Sequence, residues 1–96
     1  MRSRTAESIY SDDSRYIVKS AGISKKAKVR LTADLIIWAD IVFVMESKYI
    51  DVIVDSHPIE SMSKEIVSLD IPDTYYYMET LLVELIKSRV DLFLLR

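Results

Sequence analysis

The sequence predicts an α/β fold, a parallel sheet with helices packed on both of its faces. Three observations carry that reading. Helix-like and strand-like segments alternate along the chain in the order α-β-α-β-α-β-loop-α, the pattern of helices crossing between parallel strands. Ile41-Val42-Phe43-Val44-Met45 is a continuous apolar run rich in β-branched residues. Without alternation, it reads as a strand buried on both faces. From Glu79 onward, Leu82, Leu85, Ile86, Val90 and Phe93 recur at helical spacing.

Taken in order, Thr5-Ala6-Glu7-Ser8-Ile9-Tyr10 opens the chain as a short helix. Ser3 or Thr5 is a suitable cap, and Glu7 is a carboxylate placed early, where the helix dipole favours it. Asp12-Asp13-Ser14 breaks the pattern, and Tyr16-Ile17-Val18 reads as the start of a strand. Ser20-Ala21-Gly22 ends it with the chain's only glycine, suited to positive φ or to a close backbone approach. Lys25-Lys26-Ala27-Lys28-Val29-Arg30 is a basic loop or short turn. Thr32 is a good N-cap for a helix of about two turns marked by Leu35, Ile36, Trp38 and Ala39. Trp38 reads as a core anchor of that helix rather than a ligand platform. After the 41–45 strand, Ser47 is placed to cap a helix through Tyr49, Ile50, Val52 and Ile53, which His57-Pro58 stops. Glu65 to Leu69 is a shorter strand. Asp70-Ile71-Pro72-Asp73-Thr74-Tyr75-Tyr76-Tyr77 is a loop, since Pro and repeated Asp disfavour both regular forms. The terminal helix follows, some four turns long.

Ninety-six residues suit a single domain, 1–96, with a thin stability margin, because so short a chain buries only about 60–65% of its unfolded surface. Half the residues are hydrophobic and 29% are charged, which excludes a disordered chain. There is no Cys, hence no disulfide framework, thiolate metal site or cysteine nucleophile. Thirteen Lys and Arg against fifteen Asp and Glu give a net charge of -2, which argues against bulk attraction to nucleic acid or anionic membrane. Polar residues follow Met1-Arg2-Ser3-Arg4 directly, and no apolar run approaches the ~20 residues of a membrane span. A cytoplasmic protein without a signal peptide is expected. Lys25, Lys26, Lys28 and Arg30 make a basic patch that could meet phosphate. The net acidic chain and the lack of interleaved aromatics favour a solvated face instead. His57 has no second ligand at metal-binding spacing, and one Gly cannot build a nucleotide loop, so no cofactor is expected.

Four motifs in register carry a resemblance that spans nearly the whole chain. They are Arg2-Ser3 with Thr5-Ala6-Glu7; Ser20-Ala21-Gly22; Trp38-Ala39-Asp40-Ile41-Val42-Phe43-Val44-Met45-Glu46; and Asp70-Ile71-Pro72-Asp73-Thr74-Tyr75-Tyr76. Together the chain resembles the low-molecular-weight protein tyrosine phosphatase family, most of all a bacterial predicted-phosphatase branch. The first motif looks like the end of that family's phosphate loop and the second like the turn after its second strand. The third is similar to a helix-to-strand passage, and the fourth to the loop bearing the general acid. The resemblance implies a three-layer Rossmann-like parallel sheet with helices on both faces, lacking the family's first strand. It also shows departures. With the phosphate-loop Arg on Arg2, the nucleophilic Cys falls before Met1, outside this chain. Arg4 and Thr74 stand where the family has Pro.

The implied chemistry is hydrolysis of phosphotyrosine through a Cys-phosphate intermediate. It needs a low-pKa thiolate to attack phosphorus and backbone N–H groups at a helix N-terminus to hold oxygens. It also needs an Arg fork across two of those oxygens and an acid to protonate the leaving group. By resemblance, Arg2 is the clamp, Ser3 the hydroxyl beside the nucleophile, Asp73 the general acid with Asp70 as runner-up, and Tyr75 and Tyr76 the pocket wall. The plainer readings are a frayed Arg2, a turn-forming Asp73 and tyrosines that merely pack. Nothing fills the nucleophile, so the chain is expected to be inactive as a phosphatase. The alternative is a non-catalytic module binding a protein, a phosphorylated ligand or a small anion. A third is an unrelated α/β interaction module. Loss of the family's first strand would leave Tyr16–Ser20 and Ile41–Met45 with bare edges. A twofold homodimer covering them is therefore expected, in preference to direct closure of the sheet.

Overall fold

A computed structural model describes residues 2–24 and 26–94. The elements are α1 (Arg2–Tyr10), α2 (Ala33–Trp38), β1 (Ile41–Val44), α3 (Lys48–Ser56), α4 (Pro58–Met62), β2 (Glu65–Ser68) and α5 (Thr80–Leu94). They form an α/β protein with a two-stranded parallel sheet. Two compact units divide the chain: Ala21–Asp70, and a discontinuous one of Met1–Ser20 with Ile71–Arg96. Among the described residues, no helix is long and apolar enough to cross a membrane.

The contiguous unit is a β-α-β crossover preceded by a loop and a short helix. β1 and β2 pair in parallel with Ile41 opposite Glu65 and Val44 opposite Ser68, and the Leu69 N–H donates to the Val44 carbonyl at 2.8 Å. Parallel partners need a long connection, and α3 with α4 supplies it. Ile36, Val44 and Ile53 are buried together, with Leu31, Val42, Tyr49, Ile50 and Ile66 packed against them. Thr32 caps α2 as its sequence suggests, its Oγ1 accepting from the Leu35 N–H at 3.2 Å. At the other end of α2, Lys64 Nζ donates to the Ile37 and Ala39 carbonyls at 2.9 and 2.7 Å, a cation where the helix dipole favours one.

Two expectations for this unit, at Ser47 and Trp38, are corrected, and the one at Pro58 holds with an addition. Ser47 makes no side-chain cap bond to α3. Its backbone is already helical (φ -60°, ψ -28°), not in the extended conformation that aims a cap hydroxyl at the first turn. Pro58 ends α3 but also begins α4, because a missing N–H costs nothing at the first helical position. Trp38 is 44% exposed rather than a core anchor. It lies two residues beyond the buried Ile36, about 200° around the helix, on the opposite face.

The discontinuous unit packs α1 with α5. Leu82, Ile86 and Val90 form the buried stripe of α5, and Tyr10, Ile71 and Thr5 are also buried. No strand forms over 16–20, contrary to the sequence reading. The groups that would join a ladder are used locally. The Ser20 N–H and Oγ both donate to Glu7 Oε2 at 2.7 Å, and Tyr16 stands edge-on to Tyr10 with ring centroids 5.9 Å apart. Ile17 is 80% exposed while Tyr16, Val18 and Ser20 are half-buried, so the stretch packs on one face without pairing as a strand. The strand edge expected at Tyr16–Ser20 therefore does not exist.

Candidate functional site

The residues singled out as clamp and acid meet inside the discontinuous unit. Arg2 opens α1 and is buried, 9% exposed, rather than frayed. Its Nη1 donates to the Ile71 carbonyl at 2.6 Å, across 69 positions of sequence. Its Nε lies 3.6 Å from Asp73 Oδ1, so guanidinium and carboxylate form an ion pair. The two partners differ in setting: the Asp73 side chain is 67% exposed, whereas the Arg2 side chain is 10% exposed. Ser3 is half-buried in the first turn of α1.

Further contacts hold α1 to the same loop, and sequence reading missed them. The buried Thr5 Oγ1 accepts from the Met78 N–H at 3.1 Å, and Ser8 Oγ shares a 2.7 Å hydrogen bond with Tyr77 Oη. The Arg4 guanidinium lies over the Tyr77 ring, 5.5 Å from its centroid, at cation–π distance. The spacing was the available signal. Arg2, Thr5 and Ser8 recur every three residues and so share one face of a helix. Met78 turns the chain into α5 with φ of 59°, a left-handed conformation that is uncommon for a side chain of this size.

Tyr75 is half-buried, and Tyr76 is 81% exposed. Asp70 is a turn residue of the contiguous unit, with φ of 54°. The Ser68 hydroxyl donates to its Oδ1 at 2.7 Å and accepts its N–H at 3.2 Å.

Two titratable side chains of the discontinuous unit, Asp13 and Tyr10, have shifted pKa values. Asp13 is held well below the usual carboxylate range, at about 2, first by the side-chain bonds from Arg15 and then by the Arg15 backbone N–H. Burial, then the Asp91 carboxylate, pushes the Tyr10 hydroxyl up to about 12. Among the described residues, no group of His, Cys, Asp and Glu is placed to hold a metal ion.

The geometry offers a guanidinium and a carboxylate side by side at the start of a helix. That pairing can receive an oxyanion if Asp73 gives way to it. It supplies no thiolate, since the chain has no Cys. Comparison with protein-family models, with curated proteins and with solved structures finds no match to this chain.

Proposed function

We propose that this chain is a low-molecular-weight protein-tyrosine-phosphatase-like protein that binds a phosphorylated ligand and leaves it unhydrolysed. One observation supports the reading above the others: Arg2 and Asp73, the clamp and acid that the resemblance designates, lie 3.6 Å apart although far apart in sequence. In this reading β1 and β2 belong to a three-layer Rossmann-like parallel sheet with helices on both faces. A cytoplasmic location goes with it.

A phosphate monoester would replace the exposed Asp73 carboxylate beside Arg2, whose fork spans two oxygens. The first N–H groups of α1 and the Ser3 hydroxyl would take further oxygens, with Tyr75 and Tyr76 beside the aryl group. By the Cys-phosphate route the P–O bond breaks only as a thiolate takes the phosphorus, and without that step Asp73 has no leaving group to protonate. Purified chain should therefore show no turnover of an aryl phosphate. Turnover that Asp73→Asn abolishes would overturn the proposal. Phosphotyrosine should move the α1 backbone amide resonances with affinity on the order of millimolar. Unmoved α1 amides would remove the binding role.

Self-association is the second reading, favoured by apolar side chains left in water on the contiguous unit. Ile37 and Trp38 of α2 are 58% and 44% exposed, and Ile59 and Met62 of the adjoining α4 are 78% and 84% exposed. Covering such a patch is a common role of a twofold interface. Light scattering at high micromolar concentration should give a dimer, and a monodisperse monomer of 11.1 kDa would sink it.

A further inference from the structure

The basic loop, which the phosphatase-like reading leaves without a role, is built into a ring. The Gly22 N–H donates to the Val29 carbonyl at 2.8 Å and the Leu31 N–H to the Gly22 carbonyl at 2.9 Å, so Gly22 bridges Arg30 in parallel. At the tip, the Ala27 N–H donates to the Ser24 carbonyl at 3.1 Å and the Lys26 N–H to Ser24 Oγ at 3.1 Å. Gly22 is needed for closeness, not for positive φ: a Cβ there would stand 2.5 Å from Ala27 Cβ. Lys25 lies outside the described residues. Arg30 is thus fixed at the neck of the ring by main-chain bonds on either side of it.

That neck faces a depression of about 120 Å³ whose lining includes Ile23, Arg30, Leu31, Ile53, Ser56 and His57. It is open to solvent and has room for a small polyatomic group. The floor is apolar, with Ile53 only 2% exposed. The polar side chains on it are a guanidinium, a hydroxyl and an imidazole, and no carboxylate lines it. Asp55, next to Ser56 on α3, is exposed and is not part of the lining. The site lies at the negative end of α3, where the His57 N–H takes up the Ile53 carbonyl at 2.8 Å, so the Arg30 charge has to outweigh the rest of that helix end. Lys26 and Lys28 belong to the same ring and are exposed.

We infer that Arg30, Ser56 and His57 form a binding site for a small oxyanion, the head group of a phosphate- or carboxylate-bearing metabolite. Arg30 supplies the planar fork, Ser56 and His57 each donate one hydrogen bond, and the Leu31–Ile53 floor excludes water from one side. The sequence alone favoured a solvated face for this loop. Ring closure and the depression beside it are what give the basic residues a place to work. This site belongs to the contiguous unit and does not depend on the Arg2–Asp73 reading.

The test is titration of the full chain, followed by backbone amide resonances, with inorganic phosphate and separately with acetate, at ionic strength matched by sodium chloride. The expected result is saturable movement of the Arg30, Leu31, Ser56 and His57 amides by at least one of the two anions. A response to phosphate alone assigns a phosphate ligand, and an equal or stronger response to acetate assigns a carboxylate. Arg30→Gln should weaken binding about tenfold while leaving the main-chain ring in place, and Ser56→Ala should weaken it about threefold. No saturable movement with either anion, the same movement with sodium chloride, or undiminished binding in Arg30→Gln would overturn the site. The α1 amides report the other site in the same spectra, so failure of one is distinct from failure of the other.

Discussion

Replacing Arg2 by Met removes both its bond to Ile71 and its contact with Asp73, which differ in kind. Met keeps much of the apolar stem but has no donor. The bond to the Ile71 carbonyl is short, buried and charge-assisted, a class that contributes about 1.5–3 kcal/mol. Its loss also strands the carbonyl of a residue that is 0% exposed. The Asp73 contact is different. At 3.6 Å, with a carboxylate two-thirds exposed, it is an ion pair of the kind that contributes roughly 0–1 kcal/mol. Arg2→Met should therefore cost about 2–3 kcal/mol and Asp73→Asn less than about 1 kcal/mol, with the double variant close to Arg2→Met alone. Against a total near 0.05–0.15 kcal/mol per residue, the Arg2 loss is a large share of the stability of this fold. At roughly 4–8 °C per kcal/mol, it should lower Tm by about 10–20 °C. Urea unfolding followed by circular dichroism measures all three variants. A change below about 0.5 kcal/mol for Arg2→Met, or an equal cost for Asp73→Asn, would refute the assignment of Arg2 as a buried cross-link.

Other outcomes follow from single side chains. Tyr10 Oη is buried without a hydrogen-bond partner among the described residues, so Tyr10→Phe should raise stability by about 1 kcal/mol and keep the edge contact with Tyr16; a less stable variant would contradict this. Because the folded state raises the Tyr10 pKa from 10.0 to about 12, the unfolded chain sheds this proton first, so Tyr10 titration leaves stability unchanged below pH 10 and lowers it as pH rises toward 12; Tyr10→Phe should remove that limb from the urea midpoints. Gly22→Ala should destabilise by about 1–3 kcal/mol through overlap with Ala27, and adding Ala27→Gly should recover most of the loss; an unrescued double variant would point elsewhere. Asp13 has a folded pKa lowered from 3.8 to about 2, so its pairing with Arg15 stabilises above pH 3.8 and is lost as pH falls through 2; Arg15→Gln should flatten that acid limb of the urea midpoints.

What the sequence made legible is what local chemistry decides. Thr32 before an apolar turn, the unbroken Ile41–Val44 run, and the periodic Leu82, Ile86 and Val90 each point to one structure wherever they occur. Tyr16-Ile17-Val18 has equal local credentials for a strand, but a strand exists only with a neighbour, and Ser20 bonds to Glu7 instead. Pro58 was read as a stop although the same residue is favoured as a start. In the candidate site, resemblance brought Arg2 and Asp73 forward, while the neutral groups Thr5, Ser8 and Tyr77 passed unnoticed. Their bonds, Ser8 to Tyr77 and Thr5 to the Met78 N–H, span 69 and 73 positions, and the spacing along α1 marks the shared face but not the partner it meets.

The division of the chain sets the order in which it can fold. Ala21–Asp70 is continuous and its strand pairing spans a single crossover, so it can close while the rest of the chain is still being synthesised. The α1–loop contacts cannot. Arg2 must wait for Ile71, Ser8 for Tyr77 and Thr5 for Met78, so α1 leaves the ribosome early and docks last. Closing so long a loop is entropically costly, but a folded segment between its ends shortens the chain that must be ordered. Docking of α1 then becomes the slow, non-local step of folding, with early formation of the 21–70 unit as its prerequisite.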